Sequence, residues 1–126
     1  MNEKYFPILI VDDEPEICWI LENIISKAGF TSLNALSASE ALSLIKSNKF
    51  RMAFLDAKLP DIDGLDLARK LRKTNAHLPI VIVSGYFYQN DQVIEEALLS
   101  GRITAFIGKP FDNDEILRTI TRNARR

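Results

Sequence analysis

Four short runs of this chain are apolar almost without interruption: PILIV at 7–11, MAFL at 52–55, IVIV at 80–83 and ITAFI at 103–107. A strand with one wet face alternates polar and apolar residues, so a run without alternation suits a strand covered on both faces, as in a parallel sheet between helices. A fifth candidate, TSLNAL at 31–36, carries enough polar residues to be an edge strand. The intervening segments have helical periodicity. Ile17, Leu21, Ile24, Ile25 and Ala28 share a face behind Pro15, which suits a first helical position, and Gly29 supplies the stop. Ser37 and Glu40 form a capping box ahead of Ala41, Leu42 and Ile45. Leu65, Ala68 and Leu71 mark a third helix, and Val93, Ile94, Ala97 and Leu98 a fourth that closes at Gly101. Asp112 with Glu115 caps a fifth built on Ile116, Leu117 and Ile120. The strict alternation predicts an α/β fold: a flavodoxin-like doubly wound (βα)5 sandwich around a parallel five-stranded sheet of order 2-1-3-4-5. At 126 residues and 47% hydrophobic, the expected organisation is one domain spanning 1–126.

Charge and cysteine content remove several classes of function. Sixteen basic and seventeen acidic side chains leave a net charge of −1, so no overall field draws the chain to nucleic acid or to an anionic membrane. The apolar runs fall far short of the roughly 20 residues that span a bilayer. Cys18 is the only cysteine, and acids follow directly on the first apolar run, unlike a signal peptide. The expected compartment is the reducing cytoplasm.

In open α/β sheets the ligand site lies beyond the carboxyl ends of the strands. Asp12 and Asp13 follow the first run, Asp56 the second, Ser84 the third, and Lys109 stands just past the fourth. Three carboxylates brought together repel one another, and a hard divalent cation such as Mg²⁺ is the usual remedy. A lysine beside them adds positive charge for the oxygens of a transferring phosphoryl group, with Asp56 as nucleophile and the Ser84 hydroxyl as hydrogen-bond donor. Each feature has a plainer explanation: adjacent acids suit a helix N-terminus, and Asp56 before the turn-rich LPDIDG suits a loop start. Their convergence on one rim favours a site.

The segments VDDEP at 11–15, FLDAKLPDIDG at 54–64, VSGY at 83–86 and FIGKPF at 106–111 together resemble the receiver domains of two-component response regulators, in the family's order and over essentially the whole chain. The resemblance implies that Asp56 accepts a phosphoryl group from a sensor histidine kinase or a histidine phosphotransfer protein. It implies that Asp13 ligates Mg²⁺ directly, Asp12 acts mainly through metal-bound water, and the backbone carbonyl of Lys58 is a further ligand. Ser84 and Phe106 fall on the family's switch positions, Lys109 on its lysine, and the Lys109–Pro110 bond on its cis peptide. Phosphorylation would draw in Ser84, let Phe106 turn inward and remodel the face of the fourth helix, fifth strand and fifth helix. That face would meet a downstream effector domain or protein, or a second phosphorylated copy. The family reading makes the chain a signalling domain, taking one phosphoryl group and losing it slowly, with no membrane or direct nucleic-acid contact.

Some features depart from the family. Phe106 has no hydroxyl, serine stands where threonine is commoner, and YFYQNDQ at 86–92 is unusually aromatic, with Tyr86 and Lys58 expected to flank the acceptor. Trp19 lies opposite the apolar face of the first helix, and with Ile17 and Ile20 it forms a candidate patch for a helical phosphodonor; incidental exposure explains it equally well. Arg118, Arg122, Arg125 and Arg126 suit a helix C-terminus, and His77 suits an exposed loop. Three rivals differ in class. A haloacid-dehalogenase-like Mg²⁺ phosphatase wants its nucleophile on the first strand in a D-x-D arrangement, which adjacent Asp12 and Asp13 do not make. A flavin carrier needs a phosphate-binding loop there, and two aspartates repel phosphate. A receiver-fold interaction module independent of phosphorylation is the nearest alternative.

Overall fold

The computed structural model describes residues 6–85 and 92–124. Strands β1 (Ile8–Val11), β2 (Ser32–Ala35), β3 (Met52–Leu55), β4 (Ile80–Ser84) and β5 (Ala105–Gly108) alternate with helices α1 (Pro15–Lys27), α2 (Ala38–Ser47), α3 (Gly64–Thr74), α4 (Gln92–Leu99) and α5 (Asn113–Asn123). The sheet is parallel, in the order β2-β1-β3-β4-β5. No helix among the described residues is long and apolar enough to cross a membrane.

The unbroken apolar runs are explained by two cores. Leu9, Val11, Ala53, Leu55, Ile80 and Ile82 face α2, α3 and α4, where Ala41, Leu67, Ala68, Leu71, Ile94 and Ala97 meet them. Ile8, Ile10, Met52, Phe54, Val81, Val83 and Ile107 face α1 and α5, packing on Leu21, Ile25, Ile116 and Ile120. Every residue of β1, β3 and β4 is therefore buried, whichever way its side chain points. β2, at the edge, keeps Asn34 exposed.

Helix ends follow local chemistry. Pro15 opens α1, and Gly29 ends it at φ +93°, a conformation that side chains with a Cβ rarely adopt. Ser37 Oγ accepts from Glu40 N at 3.1 Å, while the Glu40 carboxylate accepts from Leu36 N at 2.8 Å, so the capping box closes one residue upstream of its usual place. Asp63 and Asp112 cap α3 and α5 through Leu65 N and Asp114 N.

The structure also corrects the periodicity in places. β5 begins at Ala105, later than the run at 103–107 suggests; just before it, Thr104 N donates to Ile80 O at 2.7 Å and Thr104 Oγ1 accepts from Ile80 N at 3.1 Å. In α4 only Ile94 and Ala97 are buried; Val93 and Leu98 lie to either side of that narrow face and are exposed. Leu117 is likewise 40% exposed, about a quarter-turn from the Ile116–Ile120 stripe of α5. Conversely, Cys18 joins the buried face of α1, and its Sγ donates to the carbonyl of Asp12.

Candidate functional site

Strand register assembles the rim. Val11 lies level with Leu55 across β1 and β3, so the residues that follow, Asp12 and Asp56, are neighbours, and Asp56 N donates to Val11 O at 2.8 Å. Ser84 lies level with Gly108 across β4 and β5, and Lys109 N donates to Ser84 O at 2.9 Å. The chain passes from Lys109 to Pro110 through a cis peptide bond.

Asp12, Asp13 and Asp56 each bring a carboxylate oxygen within 4.8 Å of the others. Asp12 is 1% exposed and Asp56 7%, whereas Asp13 is exposed. Lys109 Nζ sits 2.8 Å from Asp12 Oδ2, 3.4 Å from Glu14 Oε1 and 3.6 Å from Asp56 Oδ2. Asp12 Oδ1 accepts from Glu14 N, and Asp56 Oδ1 accepts from Lys58 N at 3.3 Å. Ser84 is buried at the end of β4, and Gly85 beyond it is exposed, where an added Cβ would meet only Lys109 Cβ, at 3.8 Å. Phe106 is half-buried on β5, against the core under α2, α3 and α4. Neither acid of the pair stands at the N-cap of α1; that residue is Glu14, which makes no side-chain cap.

One lysine stands against three carboxylates, with that of Asp13 close to two of them. Burial raises the Asp12 carboxyl above its ordinary range, although the Lys109 bond pulls the other way. Burial would lower Lys109, but Asp12, with Asp56 and Glu14 behind it, outweighs that and holds the ammonium above its ordinary range. A carboxyl whose pKa is raised on folding favours the fold while protonated, and that contribution is lost as pH rises through the raised value. In excess chelator, the stability of the protein relative to an Asp12→Asn variant is therefore expected to fall as pH rises from about 4, the unfolded aspartate value, toward neutrality. Urea midpoints of both proteins across that range test this; a gap that is flat or moves in favour of the parent contradicts it.

Two residues at this rim escaped sequence reasoning. Glu14 is the second carboxylate on Lys109, and its only signal was its place after Asp12 and Asp13. Gly64, in LPDIDG, sits so close under the acceptor strand that a Cβ there would lie 2.1 Å from the Asp56 carbonyl oxygen and 2.9 Å from Ala57 Cα. Its N–H donates to Ala57 O at 2.8 Å. Elsewhere, Trp19 is 64% exposed on α1, with Ile17 and Ile20 half-buried beside it. His77 is exposed and lines a cavity of about 560 Å³ with Phe50, Arg51 and Leu78, which none of the rim residues touches. Tyr86, most of the 86–92 loop, Arg125 and Arg126 lie outside the described residues.

The response regulator receiver domain family matches residues 8–121. Sporulation initiation phosphotransferase F of Bacillus subtilis is 32% identical over 116 residues, covering 92% of this chain and 89% of that protein. Among solved structures, a CheY-like receiver domain protein from Methanospirillum hungatei is 31% identical with a TM-score of 0.83, covering 93% of this chain and 91% of the other. The response regulator TrrA of Thermotoga maritima, solved in complex with Mg²⁺ and BeF, is 28% identical with a TM-score of 0.80, covering 93% and 97%.

Proposed function

Because the chain belongs to the response regulator receiver domain family, and is thus a receiver of a two-component system, we propose that Asp56 is its phosphoacceptor. The observation that carries this is the single cluster in which Asp56 shares a 4.8 Å neighbourhood with Asp12 and Asp13 while Lys109 Nζ stands 3.6 Å from its Oδ2. The donor is a phosphohistidine of a sensor kinase or phosphotransfer protein. An Asp56 carboxylate oxygen forms the new O–P bond as the N–P bond to the donor imidazole breaks, and the imidazole leaves with a proton from solvent.

The donor set fits Mg²⁺, since it consists of hard carboxylate oxygens whose charge one lysine does not balance. Asp13, Asp56 and the Lys58 carbonyl would hold it directly and Asp12 through water; when bound, the ion supplies positive charge against the carboxylates and the phosphoryl oxygens. Lys109, poised between Asp12 and Asp56, pairs with a phosphoryl oxygen once one arrives. The Ser84 hydroxyl donates to another, and the half-buried Phe106 follows it inward by packing alone. The face remodelled by this movement, α4-β5-α5, meets the effector or a second phosphorylated copy, and the reaction belongs in the cytoplasm with the donor. Self-catalysis is limited to taking up one phosphoryl group and releasing it slowly. Trp19, Ile17 and Ile20 form the donor's docking patch, supported by the 64% exposure of a large aromatic side chain.

The test is incubation with acetyl phosphate, with Mg²⁺ or with excess chelator, followed by intact mass and peptide mapping under conditions that preserve acyl phosphates. One phosphoryl group per chain, on Asp56 and dependent on Mg²⁺, is expected. No adduct, with no change in the amide spectrum on adding beryllofluoride, would favour the interaction module that does not use phosphorylation; sustained multiple turnover would favour the phosphatase. A Trp19→Ala variant should react normally with acetyl phosphate and more slowly with its protein donor, and equal rates with both would discard the docking patch.

A further inference from the structure

Between Asp56 and α3 the chain folds back on itself, with Lys58 bridged to Asp63 in antiparallel fashion. Near the tip of this reversal, Asp61 reaches a different element: Oδ1 accepts from Ala38 N at 3.0 Å and Oδ2 from Ser39 N at 2.8 Å, at the start of α2. Helix α2 already has a local cap in Ser37, whose hydroxyl serves Glu40 N. It is therefore capped twice, once by its own sequence and once by a residue 22 positions away. Both Asp61 oxygens are used, and the bonds from Ala38 N and then Ser39 N hold its carboxyl below the ordinary carboxylate range, as an anion at a helix N-terminus should be. Leu59, 8% exposed, pins the same reversal to the core from within. The stem carries Lys58, whose N–H donates to Asp56 Oδ1 at 3.3 Å.

We propose that Asp61 is a positioning residue for the metal site: by fastening the tip of the 58–63 reversal to the start of α2, it presets the Lys58 backbone beside Asp56 and so sets the affinity for Mg²⁺. The inference rests on the metal reading given above, in which the Lys58 carbonyl is a ligand. A loop held in its binding conformation loses less freedom when the ion arrives, which is how groups behind the ligands usually act on metal affinity. Linkage makes the effect reciprocal: if Asp61 tightens metal binding, the metal must also tighten the Asp61 bonds to α2. An ion at the rim would then be felt at Ala38 and Ser39, on an element that contributes none of the proposed ligands.

Titrating the intact chain with Mg²⁺ alone and following backbone amide resonances tests this without any phosphodonor. Asp61→Ala should raise the half-saturating Mg²⁺ concentration by about fivefold, the low end of couplings between distinct sites. Asp61→Asn, which keeps one acceptor oxygen, should fall between that variant and the parent. Ser37→Ala supplies the control, because it weakens the same helix end and leaves the reversal fastened; its Mg²⁺ midpoint should match the parent. In the parent, saturating Mg²⁺ should slow hydrogen exchange at Ala38 and Ser39, and in Asp61→Ala it should not. An unchanged midpoint in Asp61→Ala, or an equal rise in Ser37→Ala, overturns the proposal. A parent that shows no response to Mg²⁺ fails at the earlier step, removing the metal reading and this one with it.

Discussion

Gly64→Ala is expected to destabilise the protein by about 3 kcal/mol, at the upper end of the cost of overpacking, and to slow phosphorylation of whatever fraction stays folded. Local propensity argues the other way. Gly64 is the first residue of α3, and alanine is favoured over glycine in helices by up to about 1 kcal/mol. The clash decides the outcome, because the added Cβ would stand 2.1 Å from the carbonyl oxygen of Asp56 and 2.9 Å from Ala57 Cα. Both are backbone atoms that no rotamer change can move aside, so either α3 retreats or the end of β3 is pushed. The second course displaces the acceptor itself, and misplacing a reacting group by about 1 Å can cost on the order of a hundredfold in rate. Gly29→Ala separates this from a generic loss of glycine. It has φ +93° and nothing within 4 Å of an added Cβ, so it should cost about 1 kcal/mol of backbone strain and leave the phosphorylation rate alone. Urea unfolding and acetyl phosphate kinetics on both variants provide the comparison. A Gly64→Ala protein as stable and as reactive as the parent would mean that α3 can shift without cost.

Lys109→Met should lower the phosphorylation rate by about 10²–10³-fold, the loss typical when one preorganised group facing developing charge is removed. Methionine keeps much of the lysine stem's apolar packing and removes only the ammonium. Lys109 Nζ is the only cation paired with the rim acids among the described residues, bonding Asp12 at 2.8 Å and standing 3.6 Å from Asp56. Its removal acts in two ways. The transferring phosphoryl group loses a partner, and Asp12, 1% exposed, keeps the burial that already raises its pKa while losing the bond that opposed it. The variant should therefore also show a further rise of the Asp12 titration, measurable from its side-chain carboxyl resonance. A rate within about threefold of the parent would place Lys109 outside the reacting group's reach, at odds with electrostatic stabilisation. An Asp12 titration unchanged from the parent's would mean that the ion pair is not maintained in solution.

Much of the architecture was legible from short-range pattern. Unbroken apolar runs imply strands buried on both faces, periodic segments imply helices between them, and the end-of-strand rule selects Asp12, Asp13, Asp56, Ser84 and Lys109 as the polar rim. These inferences are local: each depends on a few neighbouring residues and on the geometry of one element. Where they missed within the helices, the width of a buried face was at fault. Val93, Leu98 and Leu117 are as apolar as their buried neighbours, and only the placement of α4 and α5 on the sheet leaves them exposed.

The pairings within the site were beyond sequence for a related reason. An alternating strand announces its register, because a slip of one residue would turn its apolar side chains outward; a strand that is apolar throughout carries no such mark. Nothing in ILIV or MAFL dictates that Val11 lies level with Leu55, yet that register buries Asp12 beside Asp56 and leaves Asp13 exposed. Likewise, Lys109 meets Asp12 across 97 positions, Asp61 crosses 22 to reach α2, and Gly64 lies against the Asp56 carbonyl. The residues alone determined a parallel α/β sheet with acids and a lysine along one rim. Which acid is buried, which one holds the lysine and what fastens the acceptor's loop were decided only when separate elements packed, since those contacts depend on register and helix placement that no local stretch of sequence encodes.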